Sequence, residues 1–400
     1  MVTTTSHYSD SRYRTNAGEG LDGVVRVSYG GYYGSGAVLF DGRAILTTAH
    51  LFEGRSGPLG VSFETLTGTR TVSALKHVLH PGYDGEGNND LAIVWLAAAA
   101  PIDADRYGLY RDRDEVGQAF TLAGYGRTGT GATGATSSDS ATPSRLKAAN
   151  LFDAEASALE TRMGAFIDWK PLAGTQLLAD FDNSLDANDA LGQLLGHPHL
   201  GYGANEGLIA SGDSGGPAFI DGLLAGVATY TASLSIGSNA PDIDKLNNSS
   251  FGEIGAWQRV SAYQQWIDQS LRAEYADAPT RPQDVIKEVV EGQAGTRFVY
   301  FLLQFTGVRN TRDEVLSVDY ATRDGSAHAG SDYIRTQGTL NLYPGEDQAV
   351  IPVEILGDAT PEPDETFYLD VINPAGGSFG EGVVKLTAVR TIVDDDGWLG

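Results

Sequence analysis

The sequence predicts an all-β protein in two domains, a large strand-rich domain closed by one helix and a smaller β-sandwich behind it. Three observations carry this. Apolar residues fall in short alternating or continuous blocks between Gly, Asp and Asn turns, the pattern of half-buried and core strands rather than of helices. Helical spacing surfaces at only two places. A short segment, Ala276–Gln283, holds two prolines and separates two such series of strands. The length of 400 residues also exceeds what a single core supports.

Residues 1–21 form an N-terminal segment; its first ten residues are polar and hold no apolar run of the signal-peptide kind. From Gly23 the strands begin. Val24–Tyr29 precedes the glycine-rich Gly30–Gly36, and Ala37–Phe40 and Arg43–Thr48 then flank Asp41-Gly42, a dipeptide favoured in tight hairpins because both positions tolerate positive φ. Val61–Glu64 and Arg70–His80 repeat the arrangement around Thr67-Gly68, and Leu91–Leu96 and Gln118–Tyr125 read as core strands. Between Arg127 and Ser144 the composition falls to Gly, Ala, Thr and Ser, which predicts a long mobile surface loop.

Leu151–Gly203 is the least legible region. It predicts a short helix near Ala154–Arg162 and carries an acidic cluster, Asp180, Asp182, Asp186 and Asp189. The spacing is not that of an EF-hand calcium loop, and a solvated acidic turn is the reading it favours. Ala218–Ile220 and Leu223–Tyr230 flank a further hairpin dipeptide, Asp221-Gly222. Trp257–Val260 is expected to run into a helix from Ser261 to about Tyr275. Ser261 and Gln264 would cap it as a capping box, and Tyr263, Trp266, Ile267 and Leu271 share the face that docks on the β domain. Beyond the linker, Arg297–Phe305, Leu316–Thr322, Gly338–Leu342, Ala349–Leu356, Thr366–Val371 and Val383–Val393 predict a β-sandwich over residues 284–397.

A formal charge of −25 repels nucleic acid and anionic membranes and suits a chain that tolerates or needs cations. The chain has no cysteine, which excludes disulfides, zinc–thiolate sites and thiol catalysis together. No apolar run reaches the length of a helical membrane span; the longest, Leu91–Ile102, fits a buried strand and its exit.

Gly212-Asp213-Ser214-Gly215-Gly216-Pro217 sets a serine between glycines, a turn that exposes a hydroxyl and lets consecutive N–H groups point at a developing oxyanion. Alone, the pattern also fits the nucleophile elbow of α/β-hydrolases or a plain glycine-rich turn. A serine nucleophile needs a base and a third group to orient that base. The elbow fold places its histidine after the serine. Beyond Ser214 the sequence holds a single histidine, His328 in the second domain, so that reading fails. Upstream, His50 closes the string Ile45-Leu46-Thr47-Thr48-Ala49-His50, and Asp90 stands ahead of the buried strand that starts at Leu91.

The order His, Asp, Ser is that of the chymotrypsin class, and these residues resemble the trypsin-like serine proteases. Leu46–His50 resembles their LTAAH segment with Thr48 in place of the first alanine, Asp90-Leu91-Ala92 is similar to their DIAL segment, and Gly212–Pro217 matches GDSGGP throughout. Gly124-Tyr125-Gly126, Gly226–Tyr230 and Trp257–Ile267 extend the likeness over about residues 22–272. The resemblance implies a two-barrel domain with a C-terminal helix at residues 22–275, in which Ser214 attacks the scissile carbonyl, His50 acts as base and then acid, and Asp90 holds the imidazole. The N–H groups of Gly212 and Ser214 would form the oxyanion hole. Leu208 would lie at the base of the primary pocket, with Thr229, Tyr230 and Thr231 along a wall. With no acid at that base, small or medium apolar substrate residues are expected rather than Arg or Lys. A freshly cut amino terminus pairs with the aspartate matching Asp213 in many members. No such segment precedes Val24, which leaves Asp213 with another partner or the chain unprocessed.

The second domain resembles a Calx-beta domain in Gly330-Ser331-Asp332-Tyr333, Gly338-Thr339-Leu340, Gly345-Glu346, Asp358 through Glu362 to Glu365-Thr366-Phe367, and Asp394-Asp395-Asp396. By that likeness Glu291, Asp332, Asp358, Glu362, Asp394, Asp395 and Asp396 are candidate calcium ligands, with Glu365 as an addition. Calcium takes six to eight hard oxygens, which clustered carboxylates supply. The expectation is a secreted bacterial serine endopeptidase acting on protein or peptide substrates, with structural calcium in its C-terminal domain and no cofactor for catalysis. A catalytically silent adhesion or binding protein on the same scaffold, or an esterase using the same three residues, are the alternatives.

Overall fold

The computed structural model describes residues 2–136, 144–164 and 169–396. The chain divides into two compact units, Met1–Leu39 with Arg43–Trp266, and Phe40–Gly42 with Ile267–Gly400.

The first unit begins with β1 (Val2–Thr4), β2 (Val24–Tyr29), β3 (Tyr32–Val38), β4 (Ala44–Thr47), β5 (Leu59–Thr65), β6 (Gly68–Leu79) and β7 (Ala92–Leu96). It continues through β8 (Ala119–Gly124), β9 (Gly129–Thr130), β10 (Gly134–Ala135), β11 (Leu146–Leu151), β12 (Ala154–Glu155), α1 (Ala156–Met163), β13 (Gln176–Asp180) and α2 (Ala190–Leu195). Then come β14 (Gly207–Ile209), β15 (Pro217–Ile220), β16 (Leu223–Ala232), β17 (Ile254–Arg259) and the first half of α3 (Val260–Ala273). Strands β2-β3-β4-β7-β6-β5 close into a barrel filled by Val25, Val27, Ile45, Phe63, Val94 and their neighbours. A seven-stranded sheet, β11-β8-β15-β16-β17-β13-β12, and a four-stranded one, β10-β9-β1-β14, make up the rest, over a core centred on Phe120, Phe152 and Trp257.

From Tyr32 on, the glycine-rich stretch belongs to β3: a Cβ on Gly34 would stand 2.7 Å from the Ser214 carbonyl oxygen and one on Gly36 2.6 Å from Ile45, so the glycines permit close packing. Three expectations change. The amino-terminal residues Val2–Thr4 form a fully buried strand, antiparallel to β14 with Val2 opposite Ile209. Their threonines read as polar, but Thr3 Oγ1 donates to the Leu208 carbonyl at 3.1 Å and Thr4 Oγ1 to that of Ser6 at 2.6 Å, so both hydroxyls are satisfied inside. The loop expected over Arg127–Ser144 contains β9 and β10, while residues 137–143 lie outside the described ones.

At the start of α3, Ser261 Oγ donates to Glu115 Oε1 at 2.6 Å, so the side chain does not close a capping box, although Gln264 Nε2 reaches back to the Ser261 carbonyl at 3.0 Å. The first half of the helix docks on its unit through His80, whose ring meets those of Tyr263 at 5.2 Å and Trp266 at 4.9 Å, edge to face.

The second unit carries β18 (Glu288–Val290), β19 (Gly295–Gln304), β20 (Leu316–Asp324), β21 (Gln337–Leu342), β22 (Gln348–Gly357), β23 (Glu365–Ala375) and β24 (Lys385–Val393). Five of them order as β18-β24-β23-β20-β21, and β19 pairs with β22 along its whole length, from Gly295 opposite Gly357 to Gln304 opposite Gln348. The inward residues of both sheets, among them Phe301, Val318, Val353 and Phe367, share one core, which makes a sandwich. Among the described residues no helix is long and apolar enough to cross a membrane.

Candidate active site

Strand pairing explains why residues 40 apart in sequence meet. β4 and β7 are antiparallel neighbours with Thr47 opposite Ala92, so the exit of β4 toward His50 and the entry to β7 from Asp90 lie side by side. There His50 Nδ1 stands 2.7 Å from Asp90 Oδ2, and the His50 backbone N–H donates to Asp90 Oδ1 at 2.8 Å. Asp90 is 2% exposed, while the imidazole keeps 34% of its surface open. Thr229 Oγ1, on β16, donates to the same Asp90 Oδ2 at 2.5 Å. The carboxylate thus receives three donors, two of them from His50, which fixes the ring with Nδ1 toward Asp90 and Nε2 outward. Sequence reasoning placed Thr229 along the substrate wall and missed this second contact, because nothing local in the sequence marks a partner 139 positions away.

The hexapeptide turn between β14 and β15 is tied into this region from three sides. Ser35 N–H donates to the Ser214 carbonyl at 2.8 Å, Gly215 N–H to Ala228 at 2.8 Å, and Ser35 Oγ to the Gly212 carbonyl at 3.1 Å. Gly215 has φ +83°, and a Cβ there would lie 2.1 Å from Thr47 Oγ1, so only glycine lets the turn reach the barrel edge that ends in His50. The N–H groups of Asp213, Gly215 and Gly216 all donate within the protein, to Ala210, Ala228 and Asp213. Among the described residues, those of Gly212 and Ser214 do not, which leaves this pair of donors unspent on either side of Asp213.

Ser214 lines a cavity of about 250 Å3 together with Ile209, Ala210, Thr231, Asn248 and the exposed Arg127. A neighbouring cleft holds His50 and Asp90, and the two share Thr229 and Tyr230 as a common wall. Among the described residues no hydrogen bond joins Ser214 Oγ to the imidazole; such bonds are often long in free enzymes and tighten when substrate is bound. Leu208 does not line the cavity. It is fully buried in the core, whereas its neighbour Ile209, also in contact with that core, reaches the cavity. Thr231 Oγ1 is turned to Asn247 Oδ1 at 2.8 Å, and Tyr230 OH donates to Gln176 Oε1.

Asp213 is almost wholly buried, and burial pushes its carboxyl up. Its Oδ1 accepts the Gly126 N–H at 2.7 Å and its Oδ2 the Ala210 N–H at 2.9 Å. Glu206 does not line the cavity; its carboxylate accepts the N–H groups of Asp182 at 2.7 Å and Tyr202 at 2.6 Å. Nor is the acidic stretch a solvated turn. Asp180, Asp182 and Asp189 are buried and Asp186 alone is exposed; backbone N–H groups donate to the carboxylates of Asp180 and Asp189.

In the second unit the predicted ligands form two groups. One oxygen each of Glu291, Asp394 and Asp396 lie within 4.8 Å of one another, and so do those of Asp332, Glu362 and Glu365. Burial, and then repulsion led by Asp358, raises Glu291 to about 7; burial, and then the hydrogen bond with Asp332, raises Glu365 to about 7. Asp358 belongs to neither triplet, and its Oδ1 accepts the Thr360 N–H at 2.6 Å. Asp395 turns away to accept the Gly292 N–H at 3.0 Å. Glu291 Oε1 and Asp396 Oδ2 are buried without a hydrogen-bond donor, which is the state of oxygens shaped for a cation.

Residues 12–150 match the Trypsin family model and residues 300–396 that of the Calx-beta domain. The first match includes His50 and Asp90 and ends before the hexapeptide. Human sodium/calcium exchanger 2 is 39% identical over 108 residues, which is 24% of this chain and 12% of that protein. The Calx exchanger of Drosophila melanogaster is 40% identical over 83 residues, 20% of this chain and 8% of its own length. The chain therefore spans about a tenth of the curated relatives it matches. A solved structure of neuropsin, a serine protease expressed in the limbic system of mouse brain, superposes with a TM-score of 0.46 at 16% identity, over 65% of this chain and 98% of that one.

Proposed function

We propose, for a chain that joins a trypsin-like domain to a Calx-beta domain, that it is a secreted serine endopeptidase stabilised by calcium. The observation that carries this reading is the imidazole held by an Asp90 that Thr229 steadies, with a serine turn whose Gly212 and Ser214 N–H groups are unspent among the described residues. In the proposed reaction Ser214 Oγ attacks the scissile carbonyl carbon as its proton passes to His50 Nε2. The carbonyl oxygen becomes an oxyanion accepting the N–H groups of Gly212 and Ser214. His50 then returns the proton to the amine as the C–N bond breaks, leaving an acyl ester on Ser214. Water attacks that ester with His50 again as base, and the serine is regenerated. A small or medium apolar residue is expected before the cut. No carboxylate lines the cavity among the described residues, and Arg127 at its edge repels a basic side chain.

The test is labelling of the full chain by a fluorophosphonate probe, with the modified residue mapped by mass spectrometry, alongside cleavage of a peptide library and a matched ester. Label on Ser214, absent in Ser214→Ala, together with peptide cleavage supports the reading. A silent scaffold takes no label; an esterase takes label and cleaves only the ester; cleavage confined to sites after Arg or Lys would overturn the pocket assignment.

Calcium enters through the second unit. Glu291, Asp394 and Asp396 would hold one ion and Asp332, Glu362 and Glu365 another, each neutralising carboxylates that otherwise repel. Bound ion stabilises the folded sandwich by mass action and takes no part in peptide hydrolysis. Millimolar calcium is expected to raise the melting transition of the second unit by several degrees, about 2.7 kcal/mol at a hundredfold excess over Kd. Glu291→Gln should remove a large part of that shift, and a transition indifferent to calcium would remove the calcium reading.

A further inference from the structure

The excursion between β13 and β14 brings three carboxylates from separate elements to one point. Asp180 ends β13, Asp182 follows it, and Asp189 caps α2, and one oxygen of each lies within 4.8 Å of the others. They are 1%, 2% and 3% exposed. Glu206, fully buried just before β14, lies against Asp182 through that residue's N–H at 2.7 Å. Asp153 closes the side nearest Asp180, whose N–H reaches its Oδ2 at 3.4 Å. No lysine or arginine pairs with any of these five among the described residues; His199, 3.9 Å from Asp153, is the one basic side chain that approaches.

Backbone donors reach two of the three carboxylates. Leu191 N–H donates to Asp180 Oδ2 at 2.6 Å, and Asp189 receives Gly192 at 2.7 Å and His199 at 3.1 Å. Asp182 is the exception. Its Oδ1 is buried and accepts no hydrogen bond at all. An ionised carboxylate without a donor is among the costliest groups to bury, and here it is aimed at two more of its own sign. The backbone is drawn in tightly around them: a Cβ on Gly201 would fall 1.9 Å from Glu206 Oε2 and 2.7 Å from the Asp182 Cβ.

We propose that Asp180, Asp182 and Asp189 hold a divalent cation of the calcium class inside the first unit, with Glu206 and Asp153 as flanking carboxylates. The donor set is all oxygen, which selects a hard cation, and the irregular convergence of several carboxylates suits calcium's flexible coordination better than the strict octahedron of magnesium. The ion would tie the end of β13, the start of α2 and the residue before β14 together. β14 leads directly into Ile209 and Ala210 of the cavity wall and on to Ser214, so the site fixes one side of the proposed pocket. It is separate from the two groups of the second unit and does not depend on them.

Equilibrium dialysis of the full chain against calcium tests this with two variants. Asp182→Asn is expected to hold one ion fewer than the unaltered chain, and removes no internal hydrogen bond because that side chain accepts none. A variant with Glu291→Gln, Asp332→Asn and Glu362→Gln disables the second unit and is expected to retain one ion per chain, lost on adding Asp182→Asn. Retention of that last ion after Asp182→Asn, or complete loss of calcium from the second-unit variant alone, would overturn the site. If the second unit binds no calcium, the unaltered chain itself holds a single ion, and the first-unit site is still read directly.

Discussion

Asp90→Asn is expected to lower kcat/KM for peptide cleavage by about 10⁴-fold while leaving the melting transition close to that of the unaltered chain. The carboxylate accepts from His50 Nδ1, from the His50 backbone and from Thr229, and at 2% exposure no water replaces it. An asparagine has the same shape, so the fold keeps its packing. Its amide carries one acceptor oxygen and one donor nitrogen, however; the oxygen stays with the His50 backbone N–H, so the NH₂ group takes the place of Oδ2 and faces His50 Nδ1 and the Thr229 hydroxyl, which can turn to accept. The imidazole must then carry its proton on Nε2, the nitrogen that faces the serine side, and can no longer take the proton from Ser214. Steady-state kinetics with a peptide substrate measure the fall, and the rate of fluorophosphonate labelling should drop with it. Activity within about tenfold of the unaltered chain would sink the assigned role of Asp90.

Much of that site is legible in the sequence because each part of it is local. The strand ending in His50, the aspartate ahead of Leu91 and the glycine-bracketed serine are each readable from a handful of neighbours, and their order along the chain selects among serine hydrolase arrangements. Leu208 is not readable in the same way. Whether a residue in a three-residue strand faces core or cavity depends on register, and the register of β14 is set by β1, itself hidden in a run of threonines. The buried acidic group escapes for a related reason. Its spacing, foreign to the EF-hand loop, gives no sign that the chain folds back on itself, and the donors that hold Asp189 inside come from α2 and from His199. In the sandwich the alternation of period two marks the strands to within a few residues, whereas Asp395, turned to Gly292, is indistinguishable in sequence from its neighbours Asp394 and Asp396.

The second large effect concerns stability. Arg259, at the end of β17, is 3% exposed, and its Nε donates to Glu115 Oε2 at 2.9 Å while Nη2 donates to the same oxygen and Nη1 reaches Glu155. Glu115 has no exposed surface, and among the described residues its other oxygen takes only the Ser261 hydroxyl. Arg259→Met fills the same space with apolar atoms but strands a buried negative charge, a loss of about 3–5 kcal/mol. For a unit of this size that corresponds to a transition lowered by roughly 10 °C in calorimetry. Adding Glu115→Gln should restore a large share, because the cost lies in the unpaired charge rather than in the missing arginine. Gly226 on β16 pairs with Arg259, three positions before Thr229, so loosening this strand pair also loosens the hydroxyl that steadies Asp90. The double variant should therefore recover peptide turnover together with melting temperature; recovery of neither would place the stability of this corner in packing instead of in the ion pair.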